Sequence, residues 1–475
     1  MAGEMITTLY ESPPISKKDL FILTIAFLIL LFSILLPPFH GLTRDAQVMI
    51  GVLIMAVILW ITEVIPLAAT GILIMILQPI LGILPIERVF SSFGNQAVFF
   101  LIGAFIIAGA VEKQGLHRRI ALGFLKHFES TPRFFTFGVM LSASLLSLII
   151  PGHGVAALFL PTITSILLAM RIIPKQSNFG KVSMLGVAYG SSIGSLGTLI
   201  GGARNPLTIA ELSAYGVDVS FLQWMIYAIP VVVISIPVVW FLLQIVFPIE
   251  VEDMSLAKRE IEKQVAAQGG LNINEFKTAV ILVLTIFLWI LLSHSLNFGL
   301  AVIALLGSFL LLLTRSVSWV DVEQKLPWGI ILMYGGAITL GVGLDETGAG
   351  SWIAKSLLII MKGNTYLILF GLILITVLLT NMMSNTAAVA VLLPIGISVA
   401  SHLSDVSILL VALLIALSSG FAFTLIMATP GNAITYSSGF FSMRDLFKAG
   451  VLANIACSII IYVIALIYWR GVLGL

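Results

Sequence analysis

The chain is poor in charge and nearly devoid of cysteine. Of its 475 residues only 10% are Asp, Glu, Lys or Arg, against roughly one quarter in an average soluble domain, while 59% are hydrophobic. That composition excludes an ordinary soluble protein. The charges almost cancel, 24 Lys and Arg against 22 Asp and Glu, so there is no global field to recruit a polyanion and no nucleic-acid partner is expected. The one cysteine, Cys457, lies inside an apolar run, which excludes an intrachain disulfide, a CxxC metal site and a redox pair. H-E-x-x-H, P-loop and dinucleotide-binding fingerprints are missing too, so zinc proteolysis and ATP-driven pumping find no support in this chain.

What the chain has in abundance is apolar runs of roughly 18 or more residues, the pattern of a polytopic membrane protein. The first, 20–36, is too long for a cleavable signal peptide and lacks a small-residue cleavage site. Spanning helices are expected at about 20–37, 46–64, 66–84, 97–112, 183–212, 222–247, 277–294, 297–314, 328–344, 408–435 and 449–469. Two further apolar stretches, about 134–168 and 365–400, are interrupted by turn formers: Pro151, Gly152, His153 and Gly154 in one, Ser384, Asn385 and Thr386 in the other. Both read as re-entrant hairpins. Irregular backbone survives at membrane depth only inside protein or beside a wet cavity, so both breaks should face a functional site.

Placing the N-terminus, with Lys17 and Lys18, in the cytoplasm puts most of the remaining basic residues inside, among them Lys113, Arg118, Arg119, Lys126, Arg133, Arg171, Lys175, Lys181, Arg315 and Lys325. Lys355, Lys362 and Arg470 fall outside. An integral protein of the cell (inner) membrane, N-terminus inside and C-terminus outside, is the expectation.

Four residue groups recur at a spacing of 233: Gly103-Ala104 with Gly336-Ala337, Gly115 with Gly348, Leu145-Leu146-Ser147 with Leu378-Leu379-Thr380, and Leu160-Pro161 with Leu393-Pro394. The chain therefore divides into a first repeat (1–247), a polar cytoplasmic linker (248–276) of helix-forming composition, and a second repeat (277–475). Each repeat holds an odd number of full crossings, which inverts one relative to the other. Inverted repeats with paired broken helices point to a secondary transporter with its site at the midplane. The expected architecture is all-α and polytopic, with about eleven transmembrane helices plus two re-entrant hairpins.

Polar residues are concentrated at the breaks. Thr380, Ser384, Asn385 and Thr386 bring hydroxyls and amides into a hydrocarbon hairpin, where they need ligands or neighbours; they suit a small hard cation, the oxygens of an anion, or polar packing between helices. Ala428, Thr429, Pro430, Gly431 and Asn432 end a helix, and helix-end amides and carbonyls are the groups from which transporters assemble anion and sodium sites. Gly201, Gly202, Ala203, Arg204 and Asn205 answer them in the first half. A charge at membrane depth is a functional candidate by default. Arg204 offers a planar fork for a carboxylate or sulfate, or a cytoplasm-facing anchor if its helix ends early. His153 is a substrate or proton ligand, or a histidine satisfied by carbonyls. Gly190, Ser192 and Gly194 fit the G-x-S-x-G pattern of an intramembrane hydrolase, but without the strand that motif needs, so no enzyme is expected. Gly190, Gly194, Gly197 and Gly201 share a helical face that permits close approach of another helix.

These residues together resemble the divalent anion/sodium symporter family of dicarboxylate, citrate and sulfate carriers. Trp60 to Pro66 (Trp-Ile-Thr-Glu-Val-Ile-Pro) is similar to its WITEAIP element, residues 99–122 to the segment before its first hairpin, Ser384-Asn385-Thr386 to its second Ser-Asn-Thr motif, and 428–432 to its ATPPN turn with one change. The resemblance covers nearly the whole chain. It implies a homodimer in the bilayer, with a scaffold at the interface and a transport domain that moves as an elevator. It places a second sodium site on Thr380, Met383, Asn385 and Ala428, and anion contacts on Ser384, Asn385, Thr386, Thr429 and Pro430. The first half departs from the family pattern: Pro151-Gly152-His153 stands for Ser-Asn-Thr, and Gly201 to Asn205 for the first Pro-Pro-Asn turn, which puts His153, Gly202 and Arg204 at the anion. Only Ser147 and Gly201 remain of the first sodium site. The expectation is a carrier for a C4-dicarboxylate, working by exchange or sodium symport, with sulfate or another oxyanion, with or without proton coupling, as the alternative. Arg204, and His153 when protonated, then supply the charge of a first sodium. Apart from Na+ as coupling ion, no cofactor is expected.

Overall fold

The computed structural model describes residues 16–293 and 299–475, and among these every regular element is helical. The first half contributes α1 (Lys17–Leu35), α2 (Arg44–Thr62), α3 (Leu67–Ile80), α4 (Ile86–Phe93), α5 (Gln96–Lys113), α6 (Leu116–Leu125), α7 (Pro132–Ser147), α8 (Gly152–Ala169), α9 (Asn178–Gly194), α10 (Arg204–Ala214) and α11 (Phe221–Val246). A polar helix, α12 (Ser255–Ala266), occupies the linker. The second half follows with α13 (Ile273–Leu292), α14 (Leu300–Leu313), α15 (Trp319–Lys325), α16 (Trp328–Glu346), α17 (Ala349–Ile360), α18 (Thr365–Met382), α19 (Asn385–Ala400), α20 (Ile408–Ser418), α21 (Pro430–Tyr436) and α22 (Met443–Ile464). Side-chain caps set many of the starts. Ser220 and Ser442 open α11 and α22 with capping boxes, and Asn272 does the same for α13 four residues before the repeat boundary read from the sequence.

Nine helical stretches among the described residues are long and apolar enough to cross a membrane. The chain is an integral membrane protein. Eleven uninterrupted crossings are not found among the described residues. The runs 66–84 and 297–314 hold helices of 14 residues, the former closed by Pro79 and a left-handed Gly82; residues 294–298, where the runs 277–294 and 297–314 meet, lie outside the described residues, as does 1–15 at the start of the first repeat. The runs 183–212 and 408–435 are each split in two, by backbone outside any α-helix over 195–203 and 419–429, the latter with one 3-10 turn at Ile426–Ala428. In both segments an asparagine amide does what helical hydrogen bonding does elsewhere. Asn205 Nδ2 donates to the carbonyls of Ser195 (2.9 Å) and Thr198 (2.7 Å), and Asn432 Nδ2 to those of Ala422 and Leu425 (both 2.9 Å). The three positions of one set follow those of the other by 227 residues. The stretch 134–168 breaks between Ser147 and Gly152, just before the expected tip, and 365–400 breaks at Met383 and Ser384.

The spacing of 233 extends to contacts. An added Cβ on Gly336 would lie 2.4 Å from Gly71 Cα, so α16 crosses α3 at backbone distance; Gly103 meets Ala304 the same way, at 2.7 Å, where α5 crosses α14. Lys113 pairs with Asp321 at 2.5 Å, and Arg88 with Glu346 at 3.0 Å. Under the 233-residue spacing each pair maps onto the other with its charges reversed. The expected four-glycine helix face is not formed, because α9 ends at Gly194 and Gly197 and Gly201 lie beyond it; Gly190 and Gly194 pack on α7, a Cβ on Gly194 falling 2.1 Å from Ser144 O.

Candidate functional site

A cavity of about 230 Å³ lies where both hairpin breaks and both unwound segments meet. At roughly 30 Å³ per water it has room for about eight waters, or for one small anion. His153, Gly202, Arg204, Ser384, Asn385, Thr386, Thr429 and Pro430 all line it, with Gly201 and Ala428. Four helix amino ends open into it: those of α8 at Gly152, α10 at Arg204, α19 at Asn385 and α21 at Pro430. Their unpaired N–H groups and dipoles favour negative charge.

Arg204 is 4% exposed and meets no carboxylate among the described residues. Its Nη2 donates to Ser195 Oγ at 2.7 Å. With the Asn385 amide turned to satisfy every neighbour, Arg204 Nη1 donates to Asn385 Oδ1 at 3.2 Å, while Asn385 Nδ2 faces Thr380 Oγ1 (2.8 Å) and Ser419 O (3.3 Å). Arg204 Nε has no partner. A buried guanidinium held by neutral groups and short of acceptors is an unfinished ion pair, and an anion in the cavity completes it. Arg204 therefore lines the cavity, which removes the reading of a cytoplasm-facing anchor, and it reaches across to the second half.

His153 is exposed toward this space and no hydrogen bond to it is found among the described residues, so backbone carbonyls do not satisfy it. Thr429 Oγ1 and Ser384 Oγ each accept from their own helix, at Asn432 N (3.0 Å) and Ala387 N (3.3 Å), and each keeps a hydroxyl proton to donate.

For a sodium ion, Thr380 Oγ1, Asn385 and Ser419 O converge, Thr380 donating to Ser419 O at 2.6 Å. Met383 and Ala428 are buried beside them, 2% and 1% exposed, though Met383 does not reach the cavity. This donor set fits a small hard cation once the Asn385 oxygen turns toward it. Ser147 and Gly201 touch, an added Cβ at Gly201 lying 2.6 Å from Ser147 O, and Ser147 Oγ is buried without a partner; Gly201 lines the cavity and Ser147 does not.

Phe105, Ser191, Ser195, Ile330 and Met333 also line the cavity and were missed in the sequence. Ser191 and Ser195 sit on the glycine-rich segment, whose composition was read as packing alone. Ser192 lines it as well, inside the regular helix α9 and without a hydrogen-bonded base among the described residues. A larger open groove, about 550 Å³, lies between α8 and α12; Ser165 and Gln264 both donate to Glu260 there, at 3.0 and 3.1 Å, and no predicted site residue lines it.

The model of the sodium:sulfate symporter transmembrane region matches residues 17–475. Sodium-dependent dicarboxylate transporters (SdcS) of Staphylococcus saprophyticus and of Staphylococcus aureus USA300 are each 29% identical over 457 residues, 90% of this chain and 87% of theirs. Among solved structures, Neisseria gonorrhoeae MtrF, described with a class of antimetabolite efflux pumps, aligns over 97% of both chains with a TM-score of 0.58 at 13% identity. The Alcanivorax borkumensis YdaH transporter aligns over 80% of this chain and 88% of its own, TM-score 0.55 at 13% identity. These two likenesses concern the fold.

Proposed function

The chain belongs to the sodium:sulfate symporter family, a family of transporters and not of enzymes, and on that premise we propose a secondary active carrier that moves a small divalent anion, a C4-dicarboxylate first, across the membrane. The observation that carries this reading is Arg204, a buried cation in contact with no carboxylate among the described residues, aimed with four helix amino ends into a cavity of small-molecule size. A dianion presents one carboxylate to Arg204 and the amino ends of α8 and α10, and the other to Ser384, Thr386 and Thr429. The sodium dependence of the staphylococcal relatives supports Na+ as the coupling ion, at Thr380, Met383, Asn385 and Ala428. Arg204 stands in for a first sodium, whose remaining ligands are Ser147 and Gly201.

Residues 1–247 and 277–475 form inverted repeats joined by the linker 248–276, which carries α12. The hairpins α7–α8 and α18–α19 are re-entrant and travel with α9–α11 and α20–α22 as an elevator against a scaffold of α1–α5 and α13–α16. The scaffold holds a homodimer interface in the cell (inner) membrane, with the N-terminus cytoplasmic. The reciprocal crossings of α3 on α16 and α14 on α5, at backbone distance, support a rigid scaffold.

A second reading, exchange of one anion for another without sodium, has the Arg204–Asn385 contact behind it, since the guanidinium takes the oxygen a sodium ion would use. Uptake of labelled succinate and sulfate into proteoliposomes separates the two. Uptake driven by an inward sodium gradient supports symport; uptake that ignores sodium and requires internal anion supports exchange. Protein that moves neither anion under any condition overturns the carrier reading.

A further inference from the structure

Glu211 lies outside the cavity, and nothing in the anion site uses it. It follows Arg204 by seven residues on α10, so the two share a helix face about 10 Å apart along the axis. On this face α10 runs parallel to α16. Tyr334 Oη donates to Ala203 O, and seven residues on the Glu211 carboxylate fills the space left by a missing side chain: a Cβ on Gly341 would lie 2.7 Å from its Oε2 and 2.9 Å from its Oε1. Beyond it, Tyr215 lies beside Asp345. Asp345 is exposed, so the line Asp345, Tyr215, Glu211, Arg204 leads from the protein surface toward the cavity.

Glu211 is 5% exposed, and among the described residues no donor is hydrogen-bonded to it. The elements packed on α10 bring no free cation to it. α16 presents Asp345, a like charge, and Tyr334; α19 and α20 carry no ionisable residue; Glu112 and Lys113 of α5 lie at the far end of that helix, where Glu112 meets Gly154. On α10 itself stand Tyr215 and Arg204, and both Arg204 Nη atoms are engaged by Ser195 and Asn385. A sodium ion is a poor occupant, because α10 and α16 are regular helices here and their carbonyls are spent on helical hydrogen bonds. A proton needs no cage. It neutralises a buried carboxylate that would otherwise be unpartnered.

We propose that Glu211 is a proton site coupled to the anion: ionised while the carrier is empty, protonated while a dianion is bound. This rests on the carrier reading above. In the empty carrier an ionised Glu211 balances Arg204, so the moving domain crosses the membrane without net charge on the pair. Once a dianion sits on Arg204, an ionised Glu211 adds one more negative charge to the same low-dielectric region, and a proton removes it. The proton therefore enters and leaves with the anion, by the Asp345 side when that side is open.

The test compares wild-type protein with Glu211→Gln in proteoliposomes holding a pH-sensitive dye, measuring succinate exchange and net succinate uptake separately. The variant is neutral in every state, so it resembles the loaded carrier and lacks the counter-charge for empty return. Expected are exchange within about twofold of wild type, net uptake lowered about tenfold or more, and loss of the internal acidification that accompanies uptake. Asp345→Asn, which removes the facing carboxylate, should move the pH profile of net uptake toward acid by roughly 0.5–1 unit. That second variant keeps the test open if Glu211→Gln fails to assemble. Wild-type exchange without acidifying net uptake overturns this inference alone, as does acidification retained in Glu211→Gln or an unmoved profile in Asp345→Asn. Wild-type liposomes inert in both modes overturn the carrier reading together with it.

Discussion

In the second half the hairpin tip supplies neutral oxygens and amides, from Ser384, Asn385 and Thr386; the matching tip of the first half supplies Pro151, Gly152 and His153, and its charge comes from Arg204 on the helix beyond. The surrounding frame is nonetheless shared. Asn205 and Asn432 tie off the two unwound segments through equivalent carbonyls, and Gly71 and Gly103 permit equivalent helix crossings. The two halves thus agree where backbone must be satisfied or brought close, and differ where a ligand is met. A protein can replace a bound cation by a covalently attached one without altering its frame, provided the attached charge reaches the same space. Arg204 meets that condition, since it extends across to Asn385.

The strongest way to break this comparison is to delete that charge. Arg204→Gln removes the charge-assisted hydrogen bonds to the anion, at about 1.5–3 kcal/mol each, and should weaken succinate binding by about 100-fold or more. Arg204→Lys should recover little of this, because an ammonium offers a point charge where the fork spans Ser195 and Asn385. Unchanged affinity in a calorimetric titration of Arg204→Gln would mean that the halves do not divide charge and oxygen as described.

Packing gives the next largest contrast. Gly194→Ala drives a methyl to 2.1 Å from Ser144 O, backbone that cannot yield cheaply, and should destabilise the folded protein by about 3 kcal/mol. The corresponding helix of the second half, α20, ends in Ser418, whose hydroxyl is buried without a partner. Ser418→Ala should be neutral or stabilising by up to about 1 kcal/mol. Thermal unfolding in detergent checks both, and equal losses would show that the two hairpins are packed alike.

Thr380→Ala sharpens the functional side. It removes a neutral oxygen from the second half and leaves Arg204 in place, so the sodium concentration for half-maximal uptake should rise about tenfold while anion exchange in sodium-free buffer changes less than twofold. Loss of both together would place anion and sodium on a single indivisible site.

Much of this frame was legible in the sequence because it rests on patterns that residue type alone betrays. Glycine pairs, broken apolar runs and hydroxyl-rich turns located both breaks and the repeat spacing, and together with the family resemblance they named eight residues that line one cavity. Three things were not legible. The runs 183–212 and 408–435 each read as one span, and the extent of their unwinding depends on Asn205 and Asn432 bonding to carbonyls seven and ten residues earlier, which hydropathy does not encode. The direction of Arg204 was hidden as well: the sequence left it as an anion fork or a cytoplasm-facing anchor, and the contact with Asn385 turns it into the cavity. Glu211 sits at the end of the run 183–212, and a lone acid in an apolar segment was the signal that could have found it.

The smallest effects belong to the two reversed ion pairs. Lys113–Asp321 and Arg88–Glu346 occupy equivalent places in the two halves, so a difference between them would reveal asymmetric stability. Arg88 and Glu346 are 57% and 42% exposed, and exposed pairs contribute little, so Arg88→Gln should change stability by no more than about 0.5 kcal/mol at pH 7. Lys113 and Ser318 hold the Asp321 carboxyl well below the usual carboxylate range. A group lowered in the folded state contributes its stability above the unfolded value, about 3.9, and loses it as pH falls toward the folded one. The difference between wild type and Asp321→Asn should therefore stay flat from pH 8 to 5 and shrink only below about pH 4. A difference that shrank between pH 8 and 6 would assign the pair's effect to another titrating group and would end the equivalence of the two halves at their edges.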